Sequence, residues 1–271
     1  MTDGLHVLDL NNMTLSQQGY RQAVTDLHFR GHPYEDSNGV MLELIGYTYM
    51  IDPTNPWFSF MERKLSPSFI AKELFWYVNG DKADASIGET AKVWKSVIDA
   101  DGEAVSNYGY QAFTMQRLGH AIGLLGIEPE TRRAIIYFGE NEHVTRHEYK
   151  KDQPCANSIQ FLIRDGTLHT VVSQRSQDLI YGVAGDAVFF SFLSLLASKI
   201  LDVSLGLIDQ QCGSFHRYPK HKQMVESLLN PTPYHLDWKT ELMTKKEALN
   251  IVLTKDTSGP FMTWLKDTYI G

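Results

Sequence analysis

Cys155 stands in Gln153-Pro154-Cys155-Ala156-Asn157, with Gln174-Arg175-Ser176-Gln177-Asp178 some twenty residues on and a lone acid, Asp186, after that. A thiolate attacks electrophilic carbon, and a neighbouring guanidinium lowers the thiol pKa enough to supply one. A planar guanidinium beside a hydroxyl also suits a phosphate. A thiol, an Arg-Ser pair and a carboxyl are thus the parts needed to hold an electrophilic base and its phosphate. The plain alternative for Cys155 is a small buried hydrophobe. A cysteine hydrolase would need a histidine base with an orienting partner, and no local signature for one surrounds Cys155.

Three further groups bear on the same chemistry. Thr131-Arg132-Arg133 and Arg175-Ser176 put two arginine clusters at strand ends, which favours a phosphorylated small molecule over mere surface solvation. His216 and Tyr218 alternate in Gly213-Ser214-Phe215-His216-Arg217-Tyr218 and point one way if that segment is extended. They could hydrogen-bond a sugar hydroxyl, and a structural histidine is an equal alternative. Asp186 precedes an apolar run, so a helix N-cap competes with any role in recognition.

These residues need elements to position them. Leu15 to Arg30 reads as a helix stopped by Gly31-His32-Pro33. Met41 to Met50 reads as a strand, and Pro67 to Val78 as a helix closed by Asn79-Gly80. Val93 to Ile98 is a short helix, Asn107 to Tyr110 a loop, Gln116 to Gly126 a helix and Ala134 to Phe138 a buried strand. Ile159, Phe161 and Ile163 alternate with other residues up to Asp165-Gly166, and Leu168 to Ser173 follows, which is a strong hairpin signal. That hairpin makes Cys155 and Arg175 spatial neighbours. Asp186 to Leu201 reads as a mostly buried helix. The mixture is an α/β (α+β) class, expected as one domain over residues 1–271.

Composition sets outer bounds. The 271 residues carry a net charge of -7 and no block of Lys or Arg, which argues against duplex nucleic acid. Two cysteines, Cys155 and Cys212, make no disulfide framework and fit a reducing cytoplasm, that of a host cell if the source is viral. The Met-Thr-Asp-Gly-Leu-His start has no secretory pattern. No apolar run of ~18 residues is free of polar breaks, so no membrane span is expected.

Taken together the residues resemble the thymidylate synthase family and its relatives, the pyrimidine nucleotide hydroxymethylases. The matching pieces come in order: Glu73-Leu74-Phe75-Trp76 with Asn79-Gly80-Asp81, Val93-Trp94, Asn107-Tyr108-Gly109, Arg132-Arg133, Pro154-Cys155, Gln174 to Asp178 with Gly182, and His216-x-Tyr218. They span about residues 70 to 225. The resemblance implies a mixed sheet with flanking helices and a sheet-to-sheet homodimer with shared sites. It implies methylenetetrahydrofolate as cosubstrate, a nucleotide as substrate, and no metal. Cys155 would add to pyrimidine C6. Arg175 and Ser176 would hold the 5′-phosphate and keep the thiol anionic, while Arg132 and Arg133 would reach the phosphate in the partner subunit. His216 and Tyr218 would contact the sugar, and Glu73 would order water and relay protons. Asp178 would contact the folate pterin, Trp94 would pack beside the folate, and Tyr108 belongs to the same folate side.

The departures are informative. The synthases carry asparagine where this chain has Asp186. A carboxyl can accept from a cytosine amino group and share a proton with N3, whereas an amide suits the uracil edge. A mismatched edge leaves buried polar groups unpaired, which is costly. Ser214 replaces a usual aspartate, and the chain ends Lys-Asp-Thr-Tyr-Ile-Gly rather than in the usual synthase tail. Both resemble viral deoxycytidylate hydroxymethylases. The synthases' Arg-Thr-Gly phosphate loop is replaced by Asp36-Ser37-Asn38-Gly39, with Arg30 the substitute arginine, and Ala156 replaces a histidine. The expected activity is 5-hydroxymethylation of dCMP, with CMP as the rival substrate. A dCMP methylase, a thymidylate synthase and an inactive nucleotide-binding protein are the alternatives.

Overall fold

The computed structural model describes residues 12–36, 39–98, 102–139 and 152–271. Its frame is a six-stranded mixed sheet in the order β1-β2-β6-β5-β4-β3. The strands are β1 His32–Asp36, β2 Gly39–Ile51, β3 Ile135–Tyr137, β4 Ala156–Arg164, β5 Thr167–Asp178 and β6 Ser204–Arg217. Among the described residues only β5 and β6 pair in parallel. The helices are α1 Leu15–Arg30, α2 Pro67–Asn79, α3 Ile87–Thr90, α4 Lys92–Val97, α5 Arg117–Ile127, α6 Gly182–Leu201, α7 Lys222–Ser227, α8 Lys245–Thr254 and α9 Pro260–Tyr269.

Local chemistry accounts for the ends of the early elements. Thr14 and Gln17 form a reciprocal capping box at the start of α1, with Gln17 N–H donating to Thr14 Oγ1 (3.2 Å) and Thr14 N–H to Gln17 Oε1 (3.0 Å). Pro67 lies in the first turn of α2 behind a Ser66 cap, and Gly80 ends it at φ 59°. Asp165 and Gly166 both have positive φ (48° and 71°), as a two-residue primed turn requires.

Around this frame, α6 is the central helix. It packs on β5 and β6 and against α2, α5 and α8. It is long and apolar enough to cross a membrane by length and composition, but most of it is buried inside this fold. Val188, Phe189, Phe190, Phe192, Leu193, Leu195 and Leu196 are all at or below 1 % exposure, so its uniform apolarity reflects packing on several sides. Beyond residue 225, α8 and α9 complete the same core. The buried carboxylate of Glu247 accepts from Phe261 N–H (3.1 Å) and Met262 N–H (2.9 Å), satisfying the first donors of α9.

Three boundaries differ from the sequence reading. Gly31-His32-Pro33 leads directly into β1, which pairs with β2. Pro33 is tolerated there because an edge strand leaves one side of its backbone unpaired. Asn107 to Tyr110 runs straight into a π-helical turn, Tyr110–Thr114. α6 starts at Gly182, so Asp186 lies one turn inside the helix and is not its N-cap.

Candidate active site

A cleft of about 280 Å³ opens between α2, α4, the start of β4, the end of β5, α6 and the end of β6. Nine of the residues singled out in the sequence line it: Glu73, Trp94, Tyr108, Cys155, Ser176, Asp178, Asp186, His216 and Tyr218.

The hairpin brings Arg175 beside Cys155, where the backbone N–H of Arg175 donates to Cys155 O at 2.9 Å. The guanidinium turns back onto the segment before the thiol. Its Nε donates to Pro154 O and its Nη2 to Gln153 O, both at 2.9 Å, and Nη2 is 3.9 Å from Cys155 Sγ. Burial pushes the Cys155 thiol up to about 11; Arg175 pulls it down, while Asp186, Asp152 and Asp178 push it further up. In the free protein desolvation outweighs the pull of the guanidinium on the thiol.

Two acids, Glu73 and Asp186, line the same cleft as Cys155. Glu73, on the inner face of α2, accepts from Trp94 Nε1 at 2.6 Å. Burial raises Glu73 to about 8, the Trp94 hydrogen bond opposes this, and the charge of Asp186 adds to the rise. Gly185 makes this approach possible, because a Cβ there would collide with Glu73 Oε2. Asp186 accepts from Gln174 Nε2 at 2.7 Å. Burial raises it to about 6, against hydrogen bonding from Gln174 and Gln177. Both acids are therefore poised to exchange a proton near neutral pH.

Asp178 ends β5 and accepts the N–H of Ile180 at 2.7 Å. Its Oδ2 is buried without a hydrogen-bond partner among the described residues. Burial raises it to about 6, and backbone donors and Arg63 oppose the rise. His216 and Tyr218 meet edge-on at 5.4 Å between ring centroids. Ser214 Oγ donates to Glu43 of β2 and lies 3.3 Å from His216 Nδ1, so an acid on the neighbouring strand reaches this histidine through the serine.

Three arginines lie elsewhere. Arg132 is exposed, and Arg133 pairs with Glu128 on the surface. Arg30 pairs with Asp26 at 3.2 Å on α1, outside the cleft, so the structure does not bring it to the site as a phosphate ligand. Ser37 and Asn38 of the replaced loop lie outside the described residues. Among the described residues, no group of three or more His, Cys, Asp or Glu could hold a metal ion.

Sequence reasoning missed several groups. Asp152 lines the cleft and is held by Ser106, 46 residues away, and no local pattern marks either. Arg63 is buried, donating from Nε to Tyr20 Oη at 3.1 Å and from Nη2 to Ile180 O. The Pro67 start of α2 was legible, but the turn before it that carries Arg63 was not.

The model of the family described as "Thymidylate synthase" matches residues 18–257. Curated relatives include deoxycytidylate 5-hydroxymethyltransferases of three phages. That of Enterobacteria phage T2 is 28% identical over 219 residues, covering 74% of this chain and 85% of its own length. Those of Enterobacteria phages T4 and T6 are 29% and 30% identical over 209 and 207 residues, each covering 70% of this chain and 81% of the relative. The match reaches past residue 225 through α8 and ends before α9. The ordered cleft around Cys155 and the extent of this match lead to one conclusion: the chain belongs to the thymidylate synthase family.

Proposed function

We propose that this protein is a folate-dependent cytidylate 5-hydroxymethyltransferase acting on dCMP. The observation that carries the reading is Asp186: a buried carboxyl in the cleft of Cys155, held by Gln174 and raised to about 6. A carboxyl that gains and loses a proton near neutrality matches the amino group and N3 of cytosine better than the uracil edge. The phage relatives are named for this reaction on deoxycytidylate.

In the proposed sequence Cys155 Sγ bonds to C6 of the base. The thiol first gives its proton to solvent water, and Asp186 shares a proton with N3 so that C6 becomes more electrophilic. Arg175 is the cation beside Sγ, and a phosphate held there together with Ser176 completes its use. C5 then takes the one-carbon unit that methylenetetrahydrofolate supplies. Glu73, raised to about 8, moves the proton from C5 and orders water. Loss of the C5 proton expels tetrahydrofolate from the new carbon and leaves an exocyclic methylene; water adds to that methylene, and the C5–C6 double bond reforms as Cys155 leaves C6 as a thiolate.

Several features fit a folate on one wall. Tyr77, Trp94, Tyr108 and Tyr181 offer flat apolar faces, and the Asp178 carboxyl lines the same cleft as an acceptor for a pterin N–H donor. A homodimer belongs to the same proposal. Arg132 and Arg133 are free of their own cleft, and Ile45 on β2 is 82% exposed, as a residue covered by a second copy would be. We place the protein in the cytoplasm.

The test is mass spectrometry of purified protein with methylenetetrahydrofolate and dCMP, CMP or dUMP in separate reactions. One formaldehyde unit gained on dCMP, with tetrahydrofolate released, is the expected result. The same gain on CMP moves the substrate to the ribose form. A methyl group with dihydrofolate formed makes the protein a methylase, and a dUMP product overturns the reading of Asp186. No product in any reaction favours a nucleotide-binding protein, in which Cys155→Ala would leave nothing to lose.

A further inference from the structure

The segment that carries Cys155 has no regular structure before Ala156 opens β4. Its backbone is nonetheless staked at successive atoms. Arg175 holds Gln153 O, Pro154 O and Cys155 O, and Tyr108 Oη accepts the N–H of Ala156 at 3.1 Å. Pro154 has no N–H to hold. What fixes the chain on its approach is Asp152. Ser106 N–H donates to Asp152 Oδ2 at 2.7 Å, and Ser106 Oγ lies 2.7 Å from both carboxylate oxygens. Both side chains are buried, at 7% and 5% exposure, where such bonds are strong.

Ser106 and Tyr108 are two residues apart on one loop. That loop therefore grips the nucleophile's segment twice, three residues before Cys155 and one residue after it. The loop is itself tied to α2 and its following turn. Asn107 Nδ2 donates to Asp81 O at 3.2 Å, and Ala104 N–H donates to Lys82 O at 2.8 Å. Gly109 lies so close to the backbone of Tyr77 that any Cβ would overlap it. Glu73 sits on the same helix one turn before Tyr77.

We infer that Ser106 and Asp152 are positioning residues for the reaction, a clasp that sets Cys155 Sγ at fixed distance and direction relative to Glu73 and Asp186. The inference rests on Cys155 being the nucleophile. Arg175 and Tyr108 hold only atoms from Gln153 onward, so the Asp152 carboxylate is what anchors the chain before them. Small misplacements of a nucleophile cost rate out of proportion to binding.

Two readouts separate this inference from the function it rests on. The first is turnover and dCMP affinity of wild type, Ser106→Ala, Ser106→Thr and Asp152→Asn. Ser106→Ala is expected to lose roughly 10- to 100-fold in kcat, with dCMP Kd unchanged and Ser106→Thr largely restored. The second is alkylation of Cys155 by iodoacetamide, followed by peptide mass spectrometry so that Cys212 is counted separately. Here Ser106→Ala and Asp152→Asn are expected to react several-fold faster than wild type at the same pH and melting temperature. In Asp152→Asn the midpoint should also shift to lower pH, since a negative charge near the thiol is gone.

Slower turnover with a more reactive thiol is the signature of a misdirected nucleophile. Unchanged kcat in Ser106→Ala, or kcat and dCMP affinity falling together with no restoration by threonine, overturns the clasp. If wild type shows no turnover, the proposed function fails; alkylation still decides the clasp, and equal rates in wild type and Ser106→Ala sink it. Should Asp152→Asn not fold, the Ser106 pair carries the test.

Discussion

Gln174 Nε2 donates to Asp186 Oδ2 across 2.7 Å, so an amide on β5 fixes the carboxyl that α6 presents to the cleft. The acid is not spent on capping its helix. With Oδ2 so held, burial keeps the proton within exchange near pH 6.

Asp186→Asn keeps the shape and removes the exchangeable proton. The preference for a cytosine nucleotide over dUMP should fall by about 1–3 kcal/mol, the cost of leaving one buried polar edge unpaired. Competition between dCMP and dUMP in one reaction measures the ratio, and an unchanged ratio refutes pairing through this residue.

Glu73 carries a proton from its ordinary 4.5 up to about 8 in the folded chain. Over that window the folded state binds more protons than the unfolded, so its contribution to stability is full below about 4.5 and is lost as pH rises towards 8. The melting temperature should therefore decline between pH 5 and 8 by a smaller amount in Glu73→Gln than in wild type. The same variant should lose roughly 10²- to 10⁴-fold in turnover, the range for removal of a proton-transfer group, while still binding nucleotide. Differential scanning calorimetry and single-turnover rates give the two numbers.

Ser214 links Glu43 to His216 across two strands. Ser214→Ala removes this contact to His216, so the KM for nucleotide should rise by the worth of one hydrogen bond, about 1 kcal/mol, with kcat little changed. Steady-state kinetics in dCMP tests this, and a fall in kcat alone would place the pair in the chemistry instead.

Arg132 and Arg133 sit just before β3, exposed and outside their own cleft. If a second copy uses them, Cys155→Ala and Arg132→Glu/Arg133→Glu chains should each be inactive alone. Mixed after unfolding and refolding, they should regain about a quarter of wild-type turnover, because half of random dimers carry one intact site. No recovery on mixing argues that each chain works with its own residues.

Much of this protein was legible in its sequence where the cause is local. The Pro67 start and Gly80 end of α2 and the Asp165-Gly166 turn each act within a few residues, and the structure has them in place. The hairpin alone puts Arg175 against Cys155. Tertiary structure decided what distant segments do to one another. Gly185 lets Glu73 approach α6 near Asp186, Ser106 reaches Asp152 from 46 residues away, and Arg30 turns to Asp26 instead of a ligand. It also decided the protonation of the site. Sequence proximity predicts the pull of Arg175 on the thiol, but desolvation depends on every atom packed around it, and in the folded chain that burial wins.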